Sequence, residues 1–544
     1  MSAQRRKELV KLAGTEVPPL IAAQRKSMAR SRERLTLTLQ LHARTETPHA
    51  LEDVVDDIIA GRRPPLERRE FAAQFGARRE HIAAVRQFAK ANGFRVTNLS
   101  MARRVVQLSG TRGRLAAAFG VNAVRYDVAG TSWHSLIGSI YLPKQLEGRV
   151  RAVFGFNERP DLQRAGAGAM AAKAATSAKG AKAAKPGTKV SYTAPEVGDL
   201  YEFPKHLDGR GQSIAVIALG GGYLRSDMRA YFRALRLPMP DIRWKSVHGA
   251  RNAPNGDTAM FDGEVTGDVQ TVGALAPRAR VVVYFAPNTH RGFFEAISQA
   301  VHDPHARNTV VSISWGQAEV HWRRRTVSAL NRVLLEAAAL GVTVCCSSGD
   351  FGAYADQNDR DPHVNFPGSS PYALACGGTT LIGKRDRIDS ERVWNNHTGA
   401  SGGGVSAIFE LPAWQRECRV PKTSRGFVGR GVPDVGANAD PLTGYRVYLR
   451  GKWCVGAGTS AASPLWAGLV ARLNQERVEP IGLVAPLMYD RFRRLTRSRA
   501  LVVITKGTNG LYRARKGWSA CTGLGTPRGL KLSRMIGRPR STRR

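Results

Sequence analysis

Gly456-Ala457-Gly458-Thr459-Ser460-Ala461-Ala462-Ser463-Pro464 is the stretch on which the reading of this chain turns. The residues after it, Leu465-Trp466-Ala467-Gly468-Leu469-Val470, read as a buried helix with Pro464 in its first turn. A serine at such a start lies beside unpaired backbone N–H groups and the positive end of the helix dipole. That place suits attack on a carbonyl and stabilisation of the negative charge that develops. A serine can also sit there as an ordinary N-cap, but the whole glycine-flanked segment favours the chemical reading.

A nucleophilic serine needs a base. Glu264-Val265-Thr266-Gly267-Asp268 puts two carboxylates at i and i+4, on one face of a helix. On an exposed helix they would only repel slightly. The following Val269, Val272, Gly273, Ala274, Leu275 and Ala276 instead indicate a helix packed into a core, where a carboxylate pair shares a proton and acts as a coupled acid–base dyad. Asp350 closes Ser347-Ser348-Gly349-Asp350 directly after a strand pattern. It reads as a turn cap, or as a protonated carboxyl that donates to an oxyanion. Ser314-Trp315-Gly316 and Ser401-Gly402-Gly403 offer backbone to which a substrate strand could pair, or simply form turns. His290 reads as a surface polar residue.

Around these segments lies an α/β pattern. Residues 213–219, 280–285, 309–314 and 342–347 are continuous β-branched or apolar runs separated by helical stretches. Such runs predict a parallel sheet covered on both faces, with ligands beyond the strands' carboxyl ends. Upstream, Leu35 to Leu41 alternates with period two, and His81–Ala89 fits an amphipathic helix. This N-terminal region reads as a compact α+β domain. Between the two regions, residues 163–190 are rich in Ala, Lys and Gly and read as an exposed linker.

The formal charge of +39 over 544 residues is extreme, and no acidic residue follows Asp490. Such a balance favours nonspecific contact with polyanions, although a solvated surface explains it as well. No stretch is long and apolar enough to cross a bilayer, and the start lacks the pattern of a secretory signal. Six cysteines show no metal spacing. A disulfide among Cys376, Cys418, Cys454 and Cys521 stays open, with Cys345 and Cys346 as buried thiols.

Together, the serine segment and the carboxylate pair resemble those of the sedolisin family of serine-carboxyl peptidases. No segment resembles the His-Gly-Thr-His element of a histidine-using subtilisin. Residues about 15–158, with Ala117-Ala118-Phe119-Gly120-Val121, are similar to the family's activation propeptide, and Ser191-Tyr192-Thr193-Ala194-Pro195 to the start of the mature enzyme. Gly431-Val432-Pro433-Asp434-Val435 and Ala439-Asp440-Pro441 are further landmarks. The resemblance implies a ferredoxin-like propeptide over residues 1–162, a linker with the processing site over 163–190, and a subtilisin-like peptidase domain over 191–544. By motif, it makes Ser460 the nucleophile, Glu264 the base and acid, Asp268 its partner and Asp350 the oxyanion donor. It also implies a secreted monomer that acts on peptides in acid, with its own propeptide as intramolecular inhibitor.

Two departures stand out. The family's calcium site has an aspartate before isoleucine and another after Gly-Trp, where this chain has Val503-Ile504 and Gly517-Trp518-Ser519. With both carboxylates gone, the calcium site is expected to be lost or very weak, leaving no cofactor. Ala218 stands where kumamolisin-like members have a glutamate, which leaves a minimal dyad. The alternative is a catalytically inactive relative that binds through its cationic surface.

Overall fold

In the computed structural model, residues 9–19, 24–28, 31–44, 50–128, 131–159, 163–164 and 191–537 are described, apart from positions 259, 358, 360 and 385. The alternating leucines form β1 (Arg34–Leu41). After it come α1 (Ala50–Ile59), α2 (Arg68–Phe75), α3 (Arg79–Ala91), β2 (Arg95–Ser100), β3 (Val105–Thr111), α4 (Arg112–Ala118) and β4 (Val150–Phe154). The strands make an antiparallel sheet in the order β2-β3-β1-β4, a ferredoxin-like arrangement. Leu35, Leu37, Leu39 and Leu41 pack with Ile82, Val85 and Phe88 of α3 and Leu115 of α4. Period two turns Thr38 and Gln40 to the opposite face, and they are buried too. That second face must therefore be covered by something else.

The chain continues through β5 (Gln163–Arg164), while residues 165–190, most of the expected linker, lie outside the described residues. The second domain contains β6 (Ser213–Ala218), β7 (Ile242–Ser246), α5 (Phe261–Leu275), β8 (Arg280–Phe285), α6 (His290–His302), β9 (Val310–Ile313) and β10 (Trp315–Ala318). Then follow α7 (Arg324–Ala339), β11 (Thr343–Ser347), β12 (Asn365–Phe366), β13 (Leu374–Lys384), β14 (Arg387–Val393), β15 (Val435–Asn438), β16 (Tyr445–Leu449), β17 (Lys452–Gly456) and α8 (Thr459–Asn474). The central sheet runs β7-β8-β6-β9-β11-β13, parallel throughout, with β15 parallel to β13 and β14 an antiparallel edge.

Each strand feeds two cores. Ile214, Val216 and Ala218 pack with α5 and α8, whereas Ala215 and Ile217 pack with α6 and α7. This two-sided burial is why the strand runs are continuous in sequence instead of alternating. The N-terminal domain covers α6 and α7. Phe154 stacks on Phe294 at 4.6 Å, Leu66 N–H donates to the Ala339 carbonyl at 2.8 Å, and Leu51, Val55, Phe71 and Phe75 join the same core.

On the opposite face, α5 and α8 lie side by side. At their closest approach a Cβ on Gly468 would come 2.8 Å from the Leu275 Cβ, so only glycine allows this spacing. Both helices carry their functional residues on the N-terminal side of this contact. The question left open for the cysteines has a plain outcome: all six, Cys376, Cys418, Cys454 and Cys521 among them, are free thiols. Cys345 and Cys376 sit on neighbouring strands, with burial pushing the Cys376 thiol well up.

Candidate active site

Helix α8 starts at Thr459, one residue before Ser460, and Gly458 precedes it with φ of +91°. Asp350 explains this start. Its Oδ1 accepts from both the Thr459 backbone N–H and the Thr459 hydroxyl, each at 2.7 Å. The carboxyl thus caps the helix from outside, and Ser460 lies within the first turn instead of serving as N-cap. Gly458 passes so close that a Cβ there would come 2.2 Å from Asp350 Oδ2. Pro464 consequently falls in the second turn, not the first as expected, and supplies no N–H to the Ser460 carbonyl.

Glu264 and Asp268 are both buried on α5, and with Ser460 they line one cleft of about 20 Å³, room for about one water molecule. Asp262 ties the helix start to the loops around it, accepting from Gly222 N–H at 3.0 Å and Gly256 N–H at 2.8 Å. The β16–β17 hairpin covers the helix, and the Gln270 amide pairs with both the N–H and the carbonyl of Tyr448. Ala218 ends β6 in the core, and the nearby Trp315 indole donates to the Ile217 carbonyl at 3.0 Å.

The expected substrate strand Ser314-Trp315-Gly316 lies beside this cleft. Here the chain pairs with itself: in the antiparallel β5–β10 ladder, Gln163 stands opposite Gly316 and Arg164 opposite Trp315. Ser314 is fully buried, and its carbonyl accepts from the Ser460 hydroxyl at 3.5 Å. Ser401, Gly402 and Gly403 are used differently from the expectation. Gly402 N–H donates to the Gly349 carbonyl at 2.7 Å, its own carbonyl accepts from Ser348, and Ser401 Oγ donates to the Cys521 carbonyl. Both backbone groups of Gly402 thus hold the Asp350 loop, and Ser401 N–H donates to the Trp394 carbonyl at 2.9 Å. His290 is likewise not at the surface. It stacks on Trp322 at 4.6 Å, and burial pulls its pKa down to about 3.

Where the family's calcium would bind, the donor set does not fit. The Val503 side chain is hydrocarbon, and Ser519 pairs its backbone with Gly523. No cluster of three or more acidic, His or Cys side chains suited to a metal exists among the described residues. The loop is instead tied directly to its neighbours. Asn509 donates to the Gly403 and Ala520 carbonyls, Trp518 to Pro433, and Arg515 to the carbonyls of Trp518 and Arg419.

Sequence reading missed a second cluster, at the contact between domains. Glu336 of α7 binds the Arg104 guanidinium of the N-terminal domain and lies 2.7 Å from His302 Nε2. Glu295 of α6 accepts from Thr38 at 2.7 Å, Gln107 at 2.9 Å and Arg103 at 3.0 Å. The signals were a lone glutamate within apolar helix residues and the adjacent Arg103-Arg104, but sequence does not tell which partners meet. Burial alone would raise the Glu336 pKa from 4.5, yet Arg104, His302 and Arg332 take it down to about 2. Glu295 is held well below the carboxylate range in the same way, by His248 and Arg103 against the effect of burial. Burial also lowers His302, against the pull of Glu336.

A family model described as "Pro-kumamolisin, activation domain" matches residues 22–159, and one described as "Subtilase family" matches 238–517. The chain therefore combines a subtilisin-like peptidase domain with an N-terminal activation domain. It is 42% identical over 483 residues to kumamolisin of Bacillus sp. (strain MN-32), spanning 86% of this chain and 85% of that protein. It is 29% identical over 495 residues to sedolisin of Pseudomonas sp. (strain 101), spanning 87% and 81%. The solved structure of Pseudomonas sedolisin, a serine-carboxyl proteinase complexed with two molecules of pseudo-iodotyrostatin, matches with a TM-score of 0.57 at 28% identity, over 64% of this chain and 99% of that one. The chain belongs to the sedolisin family of serine-carboxyl peptidases. Its substrates are peptides, its N-terminal domain is an intramolecular inhibitor, and a non-catalytic binding protein is not favoured.

Gly458→Ala forces a Cβ into Asp350 and onto a left-handed backbone position, at a cost of about 1–3 kcal/mol. Peptidase activity should fall at least tenfold while the N-terminal domain still folds, as read by kinetics and by thermal unfolding of the full chain.

Proposed function

We propose that this zymogen becomes an acid-acting endopeptidase in which Ser460, Glu264, Asp268 and Asp350 carry the reaction. The observation that carries this reading is the shared cleft, where the paired carboxylates of α5 meet the serine of α8. Ser460 Oγ attacks the peptide carbonyl carbon, and its proton passes to Glu264, whose charge balance is shared with Asp268. Asp350, fixed by Thr459, donates a hydrogen bond from its protonated carboxyl to the oxyanion. The intermediate collapses as Glu264 returns the proton to the leaving nitrogen, which frees one product and leaves an ester on Ser460. Water then attacks the ester with Glu264 as base, and the acid product leaves Ser460 restored. The scheme needs Glu264 ionised and Asp350 protonated together, and this coexistence favours acid.

The β5–β10 pairing supports a substrate-like path for the linker: the chain's own residues occupy the strand that a peptide substrate would extend. Cleavage within residues 163–190 would then free the cleft. We place the enzyme's work outside the cell, as a monomer; the strongly basic surface adds only nonspecific polyanion contact. At the C-terminal loop, direct hydrogen bonds stand in for calcium.

In a pH series on the full-length protein, acid should trim the wild type within residues 163–190 and leave Ser460→Ala whole, as read by gel and mass spectrometry. Undiminished peptidase activity of Ser460→Ala would sink the assignment.

The docked N-terminal domain supplies Arg103 and Arg104, so the part of the Glu295 and Glu336 lowering that these arginines cause belongs to the docked state. The Glu336 contribution is complete above the ordinary value of 4.5 and is lost as pH falls from there towards about 2, and Glu295 acts in the same direction. His302, lowered by burial, acts in the same sense below its ordinary 6.5. Glu336→Gln strands the Arg104 charge, a cost of about 3–5 kcal/mol. Self-processing of this variant should begin about one pH unit higher than in wild type, a shift that the same gel assay detects.

The calcium prediction is separate. Chelator should leave the unfolding temperature of the processed enzyme unchanged, and calcorimetric titration with calcium should show no heat of binding. A chelator-induced fall of several degrees would overturn it.

A further inference from the structure

Ser314 does not sit as a surface substrate contact. Its hydroxyl lies fully buried between the two helices of the site, 3.0 Å from Asp268 Oδ1 and 3.2 Å from the Ser460 carbonyl, donating to both. Two independent features of the chain account for this place. Pro464 carries no N–H, so the Ser460 carbonyl loses its partner within α8 and needs a donor from elsewhere. Ser312, two residues earlier and so on the same side of the strand, faces Ser463, one helical turn after Ser460, at 3.2 Å; Ser463 in turn donates to the Cys345 carbonyl. Ser312 in β9 and Ser314 just after it thus fasten successive turns of α8, and of the two only the Ser314 hydroxyl also reaches α5.

We propose that Ser314 is a positioning residue of the catalytic set, its hydroxyl holding Asp268 ionised and fixing Asp268 relative to Ser460. This rests on the roles given above to Ser460, Glu264 and Asp268. A hydroxyl donates more strongly to a carboxylate than to a neutral carbonyl, so its bond favours the ionised form of Asp268. An anionic Asp268 stabilises the proton that Glu264 accepts from Ser460. Without the hydroxyl, that proton transfer becomes harder while the substrate strand remains in place.

The test uses full-length Ser314→Ala, processed by tagged wild-type enzyme that is then removed, and assayed on a peptide substrate across pH. The expected result is a fall in kcat of about 10- to 100-fold, KM within about twofold, and an acid limb of the kcat profile displaced to higher pH. Ser314→Thr and Ser314→Val form an isosteric pair that differs by the hydroxyl. Threonine should keep the wild-type acid limb and valine should show the displaced one, a comparison that stands even if Ser314→Ala fails to fold. Wild-type kcat and acid limb in Ser314→Ala, or identical profiles for the threonine and valine variants, overturn the proposal. Ser460→Ala run alongside separates the two levels: residual cleavage there overturns the catalytic reading itself, whereas an inactive Ser460→Ala beside an unaffected Ser314→Ala overturns only the role of Ser314.

Discussion

The close contact of α5 with α8 is the constraint on which the site depends. Gly468 against Leu275 sets the spacing of two helices that are otherwise buried almost throughout. Glu264 and Asp268 reach Ser460 because both helices extend towards the same end of the sheet from that point. A larger residue at position 468 would separate the helices by a side-chain layer, and no local adjustment of the carboxylates could span the added distance. The placement of Glu264 and Asp268 beside Ser460 is here a property of core packing, since proximity and orientation are set by the helix contact itself.

The loop carrying Asp350 adds the second fixed distance. Strand β11 delivers Asp350 to the carboxyl edge of the sheet, as the α/β arrangement leads one to expect. The residues Ser401–Gly403 then support that loop from beneath, where Cβ atoms on Gly402 and Gly403 would each meet a backbone carbonyl oxygen at 2.2 Å. Asp350 in turn caps the helix that carries Ser460. The three functional elements thus share one mechanical frame, and the C-terminal loop is joined to it through Asn509 and Cys521. The Asn509 and Trp518 anchors of the loop are direct bonds to backbone carbonyls of its neighbours.

Much of this was legible in the sequence, because the informative signals are local. The parallel strands appear as unbroken apolar runs, the buried carboxylates of α5 as an i, i+4 pair on a core helix, and the start of α8 as a serine within glycines before an apolar helix. What remained hidden depends on contacts distant in sequence. Ser401-Gly402-Gly403 reads as a strand-like or turn segment, and nothing local shows that its amides meet the Asp350 loop. His290 looks polar in a polar stretch until Trp322 covers it. The Arg104–Glu336 contact joins residues more than two hundred positions apart, and nothing local in either segment tells that they meet. The thiols show the same limit, because four cysteines allow several pairings and only their positions in space exclude all of them.

Pro464 shows how a break in a local rule can point to function. A proline inside a helix costs a hydrogen bond and is normally avoided, yet here it lies four residues beyond Ser460. The carbonyl it leaves open belongs to Ser460 itself, and the donor that fills it also touches Asp268. An uninterrupted helix would satisfy that carbonyl internally, and Ser314 would then have no reason to bridge the two helices. The defect therefore couples the backbone of Ser460 to Asp268 through a single buried hydroxyl. Local propensity is given up at one position, and the orientation of the catalytic groups is what the surrounding structure gains from it.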